Sequence, residues 1–182
     1  MSTLFVNNLN TASGSTIAVA SGKTLDASAG TLIPSEDQIV QTQTLVIPST
    51  SNISTNTDAD SYLGKELTIT PKRENSHILL GIHGGFITYS SGSPIAVWSF
   101  YRAVNSGSFS FLDYYQTARL NGSYYGIGHN GRRLDENSYT LGDTIKYRWY
   151  GRCISATTTV YAQYNIGGQR SPIVWTAQEI AQ

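Results

Sequence analysis

The chain has 182 residues, 40% of them apolar and 11% aromatic, enough for one core of ordinary domain size with an appendage. Twelve Lys and Arg balance twelve Asp and Glu, and charged residues make up only 13% of the chain, about half the usual share. A net charge of zero argues against nucleic acid and anionic membrane surfaces as partners, since either calls for a basic excess.

Solubility rests instead on Ser, Thr, Asn and Gly, a composition that suits stable assemblies. The lone Cys153 excludes an intrachain disulfide framework, has no His or Asp beside it, and reads as a buried core thiol. The start MSTLFVNNLN has no basic region ahead of an apolar run, and no segment approaches the length of a membrane span. The expectation is synthesis in a cytosol without a signal peptide and no membrane insertion.

Taken in chain order, the composition breaks near Ser61. Before it the only aromatic residue is Phe5, whereas every Tyr and all of Trp98, Trp149 and Trp175 lie after it. Aromatic side chains bury the largest areas, so the core must come from the second part. In the first, STIAVASGKTLDASAGTLIPS offers Ile17 and Val19 at strand spacing, then Leu25 and Leu32 near Gly turns, as short extended pieces joined by tight turns. So few apolar groups do not offset an ordering entropy of about 1–2 kcal/mol per residue within one chain. Either residues 1–36 are a disordered tail, or they are an extended anchoring and trimerisation arm in which Phe5, Ile17, Val19, Leu25 and Leu32 make the assembly contacts.

Residues 37–61 read as a first strand followed by a linker. In DQIVQTQTLVI, Ile39, Leu45 and Ile47 fall on one side, with Val40, Thr42, Thr44 and Val46 on the other. PSTSNISTNTDADS is a Ser/Thr/Asn-rich loop without periodicity.

Residues 62–182 carry strand signals in quick succession and no amphipathic helix. ELTITP alternates Leu67 and Ile69; HILLGIH puts Ile78, Leu80 and Ile82 on one face; GFITYS follows a break at Gly84-Gly85. IAVWSFYRAV is apolar on both faces, as in a central strand. SFSFLDYY and the region around the Asn121-Gly122 hairpin signal give further short strands, HNGRRLDENS is turn-rich, and TIKYRWYGR, TTVYAQY and PIVWTAQEI close the series. About nine or ten strands with regular turn signals predict an all-β chain, an extended arm followed by an antiparallel β-sandwich of jelly-roll type.

Two stretches carry a resemblance. The opening, STLFVNNLNTASGSTIAVASGKTLDASAGTLIPSEDQIVQ, resembles the N-terminal region recurring in tail-fibre and other virion proteins of tailed bacteriophages. The series ITPKRENSHILLGIHGGF, WSFYRAV, LGDTIKYRWYGR and TAQEIAQ is similar to the C-terminal β-domain that follows such an opening in phages of cyanobacteria and marine bacteria. The resemblance implies a virion structural protein on the particle exterior, homotrimeric, with a knob similar in architecture to trimeric jelly rolls of the tumour-necrosis-factor type. The leading expectation is a tail fibre whose knob meets a host surface glycan or protein while the arm engages other virion proteins. The rivals are a capsid decoration or cement protein, a lectin-like module and a depolymerase.

No catalytic signature supports an enzyme. A nucleophile elbow, a P-loop, HExxH and zinc-spaced Cys pairs are all missing from the sequence. Glycan cleavage needs two carboxylates flanking a bond. Of Glu66, Glu74, Asp113, Asp135, Glu136, Asp143 and Glu179, only Asp135 and Glu136 are adjacent, and neighbours on a strand point to opposite faces. His77 and His83 would share a face about 20 Å apart, too far to hold one ion within a chain. Asp58 and Asp60 lack the later ligands of a calcium loop. No cofactor or metal is expected. The preferred receptor or partner site is NGSYYGIGHNGRRLDENSY, which gathers Tyr124, Tyr125, His129, Asn130, Arg132, Arg133 and Asp135 in a glycine-rich region. Alternatively, its tyrosines pack between subunits or under the loop.

Overall fold

Alternation of apolar and polar residues sets the architecture. The computed structural model describes residues 38–49, 51, 53–89, 92, 94–119, 127–154, 159–163 and 171–182. All of them belong to a unit running from Pro34 to Gln182. Their strands are β1 (Ile39–Ile47), β2 (Ile53–Thr55), β3 (Ser61–Ile69), β4 (His77–Tyr89), β5 (Ile95–Val104), β6 (Ser110–Arg119), β7 (Ile127–Asp135), β8 (Ile145–Ile154), β9 (Val160–Gln163) and β10 (Ile173–Ile180).

The pairing is nested. β5 pairs β6, β4 pairs β7, β3 pairs β8 and β1 pairs β10, all antiparallel, like one long ribbon folded at its middle. Wrapping that ribbon brings β10 against β4 and β8 against β5, which closes two sheets. The first sheet contains β1, β10, β4 and β7, with β9 and β2 continuing along the far half of β4; the second runs β3-β8-β5-β6. This is a two-sheet antiparallel sandwich of jelly-roll type, as the strand spacing predicts.

Between the sheets lie Trp98, Phe100, Tyr147 and Trp149 of the second sheet, facing Trp175 of β10 and Ile78, Leu80 and Ile82 of β4 on the first, all fully buried. Phe100 stacks between Tyr115 and Trp175, with ring centroids 4.6 and 5.6 Å away. Cys153 is buried in this core, and burial raises its thiol pKa.

Three local readings change. Residues 37–61, read as a first strand and a linker ahead of the sandwich, supply two strands of its first sheet, β1 hydrogen-bonded to β10 and, within the linker, β2 to β9. The Gly84-Gly85 pair bends β4 without ending it. Both glycines have positive φ, and a Cβ on Gly84 would lie 2.3 Å from the Pro172 carbonyl oxygen, so the pair admits the chain entering β10. The turn-rich reading of HNGRRLDENS is corrected, because residues 127–135 form β7. Its polar residues are tolerated there because β7 is an edge strand, paired among the described residues only to β4.

Candidate functional site

The structure distributes the predicted 124–135 cluster over three environments. Tyr124 and Tyr125 lie outside the described residues, as do Phe5, Ile17, Val19, Leu25 and Leu32 of the predicted arm. His129 and Asp135 are 2% and 1% exposed, which removes both from any surface site. Asn130 and Arg132 point outward from the first sheet, while Arg133 pairs with Asp113 of β6 at 3.0 Å where the two sheets meet. Strand alternation explains the dispersal, since successive residues of β7 must face opposite ways.

The two buried members hold structural networks. His129 Nε2 lies 2.9 Å from the Ala162 carbonyl oxygen, to which it donates, leaving Nδ1 to accept from the Tyr115 hydroxyl at 3.0 Å. Tyr115 in turn accepts from Trp149 Nε1 at 2.8 Å. Burial beside Trp98 and Trp149 lowers the His129 pKa to about 4, only partly countered by the Ala162 bond. Asp135 accepts from Arg102 at 2.7 Å, from the Tyr147 hydroxyl at 2.8 Å and from the Tyr139 hydroxyl. Burial pushes the pKa of both tyrosines up, with the Asp135 carboxylate adding to the shift.

Four of the other carboxylates weighed for glycan cleavage are similarly engaged. Glu179 is fully buried under backbone and side-chain donors, Glu66 pairs with Arg148 at 2.8 Å, Glu74 accepts from Leu141 N, and Asp143 accepts from Asn105 and Thr140. Those last bonds, the Asn105 bond first, lower the Asp143 pKa. His77 and His83 share the outward face of β4, as their even spacing predicts.

Two outer faces remain, and they differ in chemistry. On the first sheet, register aligns Val46, Val174, His83 and Asn130 in one row, Thr44, Thr176, Gly81 and Arg132 in the next, and Thr42, Gln178, Leu79 and Leu134 in a third. Arg132 is the only Lys, Arg, Asp or Glu in these rows. Gly81 floors a depression of about 270 Å³ walled by His83, Asn130, Arg132, Thr176 and Gln178. A Cβ at Gly81 would stand 2.9 Å from Thr176 Oγ1.

On the second sheet, Tyr62, Tyr150, Ser99 and Tyr114 form one outward row, and Glu66, Arg148, Tyr101 and Phe111 the next. Their rings form a continuous layer. Tyr101 stacks on Tyr150 at 4.0 Å, Tyr150 leans on Tyr62 at 5.7 Å, and Phe111 bridges Tyr101 and Tyr114 at 5.6 and 4.7 Å. Arg148 sits over Phe109 at 3.8 Å and Tyr62 at 4.6 Å, while Arg152 lies over Tyr114 at 5.4 Å. The Tyr101 hydroxyl donates to Asp60 at 2.6 Å, and burial and that bond raise its pKa. Tyr62, Phe111 and Tyr114 stay 40–46% exposed. Sequence reasoning did not single out this face. Its signal is present in TIKYRWYGR, whose alternate residues Lys146, Arg148, Tyr150 and Arg152 line the outside of a strand with a fully buried inside.

No protein-family model and no curated protein sequence matches the chain. Among solved structures, Eiger TNF from S. frugiperda is similar with a TM-score of 0.43 at 9% identity, over 80% of this chain and 96% of that one. A chain of the T13 IBDV viral particle aligns with a TM-score of 0.30 at 9% identity, over 80% of this chain and 37% of that one. One from the infectious bursal disease virus Gx strain aligns at 0.27 and 12%, over 79% and 38%. The alignments thus span under half of those viral chains. Likeness at this level concerns strand arrangement alone.

Proposed function

We propose that this chain is a structural, non-enzymatic component of a bacteriophage virion: a homotrimeric tail-fibre subunit on the particle exterior, made in the host cytoplasm. In this reading the sandwich is a knob for host attachment, and residues 1–36 anchor it to other virion proteins. One observation carries the proposal, the contrast between the two outer faces of the sandwich. The face of the first sheet has a single charged side chain, Arg132, in its three central rows, among Thr, Val, Leu, Gly, His, Asn and Gln, a surface that packs against a copy of itself with few ions to desolvate. The face of the second sheet carries Tyr and Arg, residues enriched where surfaces recognise partners. The carboxylates described above are held by structural bonds, in keeping with a binding role.

Electron microscopy of intact particles with an antibody to the sandwich tests the assignment. Label at the tail supports the fibre. Label on the head overturns it in favour of a capsid decoration protein that stabilises the coat.

A further inference from the structure

The outward face of the second sheet has a local charge at odds with the neutral chain. Lys146, Arg148 and Arg152 project from β8, and Arg119 aligns with Ile95 at the end of β6, against Asp60 and Glu66. Among these described side chains two cations, Lys146 and Arg119, are therefore in excess of the Arg148–Glu66 and Arg152–Asp60 ion pairs. Arg148 is already committed, bonded to Glu66 at 2.8 Å and held between Tyr62 and Phe109. Arg152 is held more loosely, in an ion pair whose closest approach, Nε to Asp60, is 3.9 Å and beyond hydrogen-bond reach, with the side chain 30% exposed. Beside it Tyr114 and Phe111 are 43% and 46% exposed.

From Tyr62 on β3 to Tyr114 on β6 the face spans three strand spacings, about 14 Å. Along it, a continuous layer of rings is flanked by the polar groups of Arg148, Arg152, Asp60 and Glu66. A sugar chain has the complementary pattern, with apolar C–H faces for the rings and a hydroxyl rim for Arg, Asp and Tyr groups. Single-stranded nucleic acid also stacks its bases on aromatics, but at about 3.4 Å per charge it places about four charges along 14 Å, twice the excess of two. A sparsely charged polymer matches.

We infer that the outer face of the second sheet is a binding platform for an anionic saccharide, anchored by the Arg152–Tyr114 pair, with Arg152 taking the carboxylate or sulfate and Tyr114 stacking on the sugar. The inference rests on the attachment reading, and it moves the recognition surface from the 124–135 segment to β3, β8, β5 and β6.

The test uses the full chain on an array of sialylated, uronate-containing and sulfated oligosaccharides beside their neutral parents, with single-stranded dT10 as a further probe. Expected is binding to one or more acidic members, at least tenfold weaker for the neutral parent. Arg152→Gln and Tyr114→Ala should each weaken it tenfold or more with melting temperature preserved, and Glu136→Gln should leave it unchanged. Binding only to neutral members, only to dT10, or to nothing overturns the inference, as does acidic binding indifferent to both Arg152→Gln and Tyr114→Ala. Particle labelling is independent of this result, so tail label with an empty array sinks the saccharide platform and leaves the virion assignment standing.

Discussion

Ser76 donates its hydroxyl to Glu179 at 2.7 Å, and neither residue is exposed to solvent. The same carboxylate accepts from the backbone N–H groups of Lys72 and Arg73 at 2.9 Å and from Gln41 Nε2 at 2.7 Å. A single buried charge thereby ties β1, the β3–β4 loop and β10 together. Glu179→Gln keeps the size but turns one acceptor into a donor facing donors. With charged hydrogen bonds worth about 1.5–3 kcal/mol each, a net loss of about 3 kcal/mol is expected. In a unit of this size that lowers Tm by about 6–12 °C, readable by calorimetry. A shift below 2 °C would show that the loop does not depend on the carboxylate.

His129 makes stability depend on pH. Its pKa is about 4 in the folded state against 6.5 for the free side chain, so the unfolded chain binds the extra proton between those values. Stability from this group is complete above pH 6.5 and is lost as pH falls toward 4. Between pH 7 and 5 the loss is about 2 kcal/mol by linkage. Urea titrations at the two pH values should show it, and His129→Gln, though less stable throughout, should remove that part of the dependence. An unchanged slope in the variant would assign the acid sensitivity to other groups.

How far the fold was legible depended on where each strand's partners lie. β8 and β10 were plain, because both faces of the sheet wrote themselves into strict alternation: Ile145, Tyr147 and Trp149 inside, Lys146, Arg148 and Tyr150 outside. β7 was hidden because its inward positions are His129, Gly131, Arg133 and Asp135. A glycine is required at 131, where a Cβ would come within 2.3 Å of the Tyr115 ring, and the polar pair meets Tyr115, Arg102 and Tyr147 from strands remote in sequence. The aromatic face was hidden for a related reason. Tyr62, Tyr101, Phe111, Tyr114 and Tyr150 become neighbours only through the register of four strands.

Gly151 and Trp98 offer a test of the core. They are opposite one another in β8 and β5, and a Cβ at 151 would fall 2.4 Å from Trp98 Cζ3. With Trp98 fully buried between the sheets, it has no free direction in which to move. Gly151→Ala should therefore destabilise by about 1–3 kcal/mol, despite the usual gain from replacing glycine in a strand. Trp98→Ala should cost more, about 3–5 kcal/mol. An alanine variant at 151 as stable as the parent in urea would mean that the indole repacks freely.

Assembly through the first sheet makes the most direct demand on the proposed function. Thr44 is exposed, lies in the row of Thr176, Gly81 and Arg132, and faces outward from an edge strand. A carboxylate there makes no contact with the core, so Thr44→Glu should leave monomer stability within about 0.5 kcal/mol. Placed in an interface between copies, it would bury an unpaired charge, at several kcal/mol for each copy. Light scattering at micromolar concentration should then give three chains of 19.8 kDa for the parent and one for the variant. A parent that is already monomeric would remove the homotrimer. A trimeric variant would move the contact away from this face, leaving residues 1–36 to hold the subunits together.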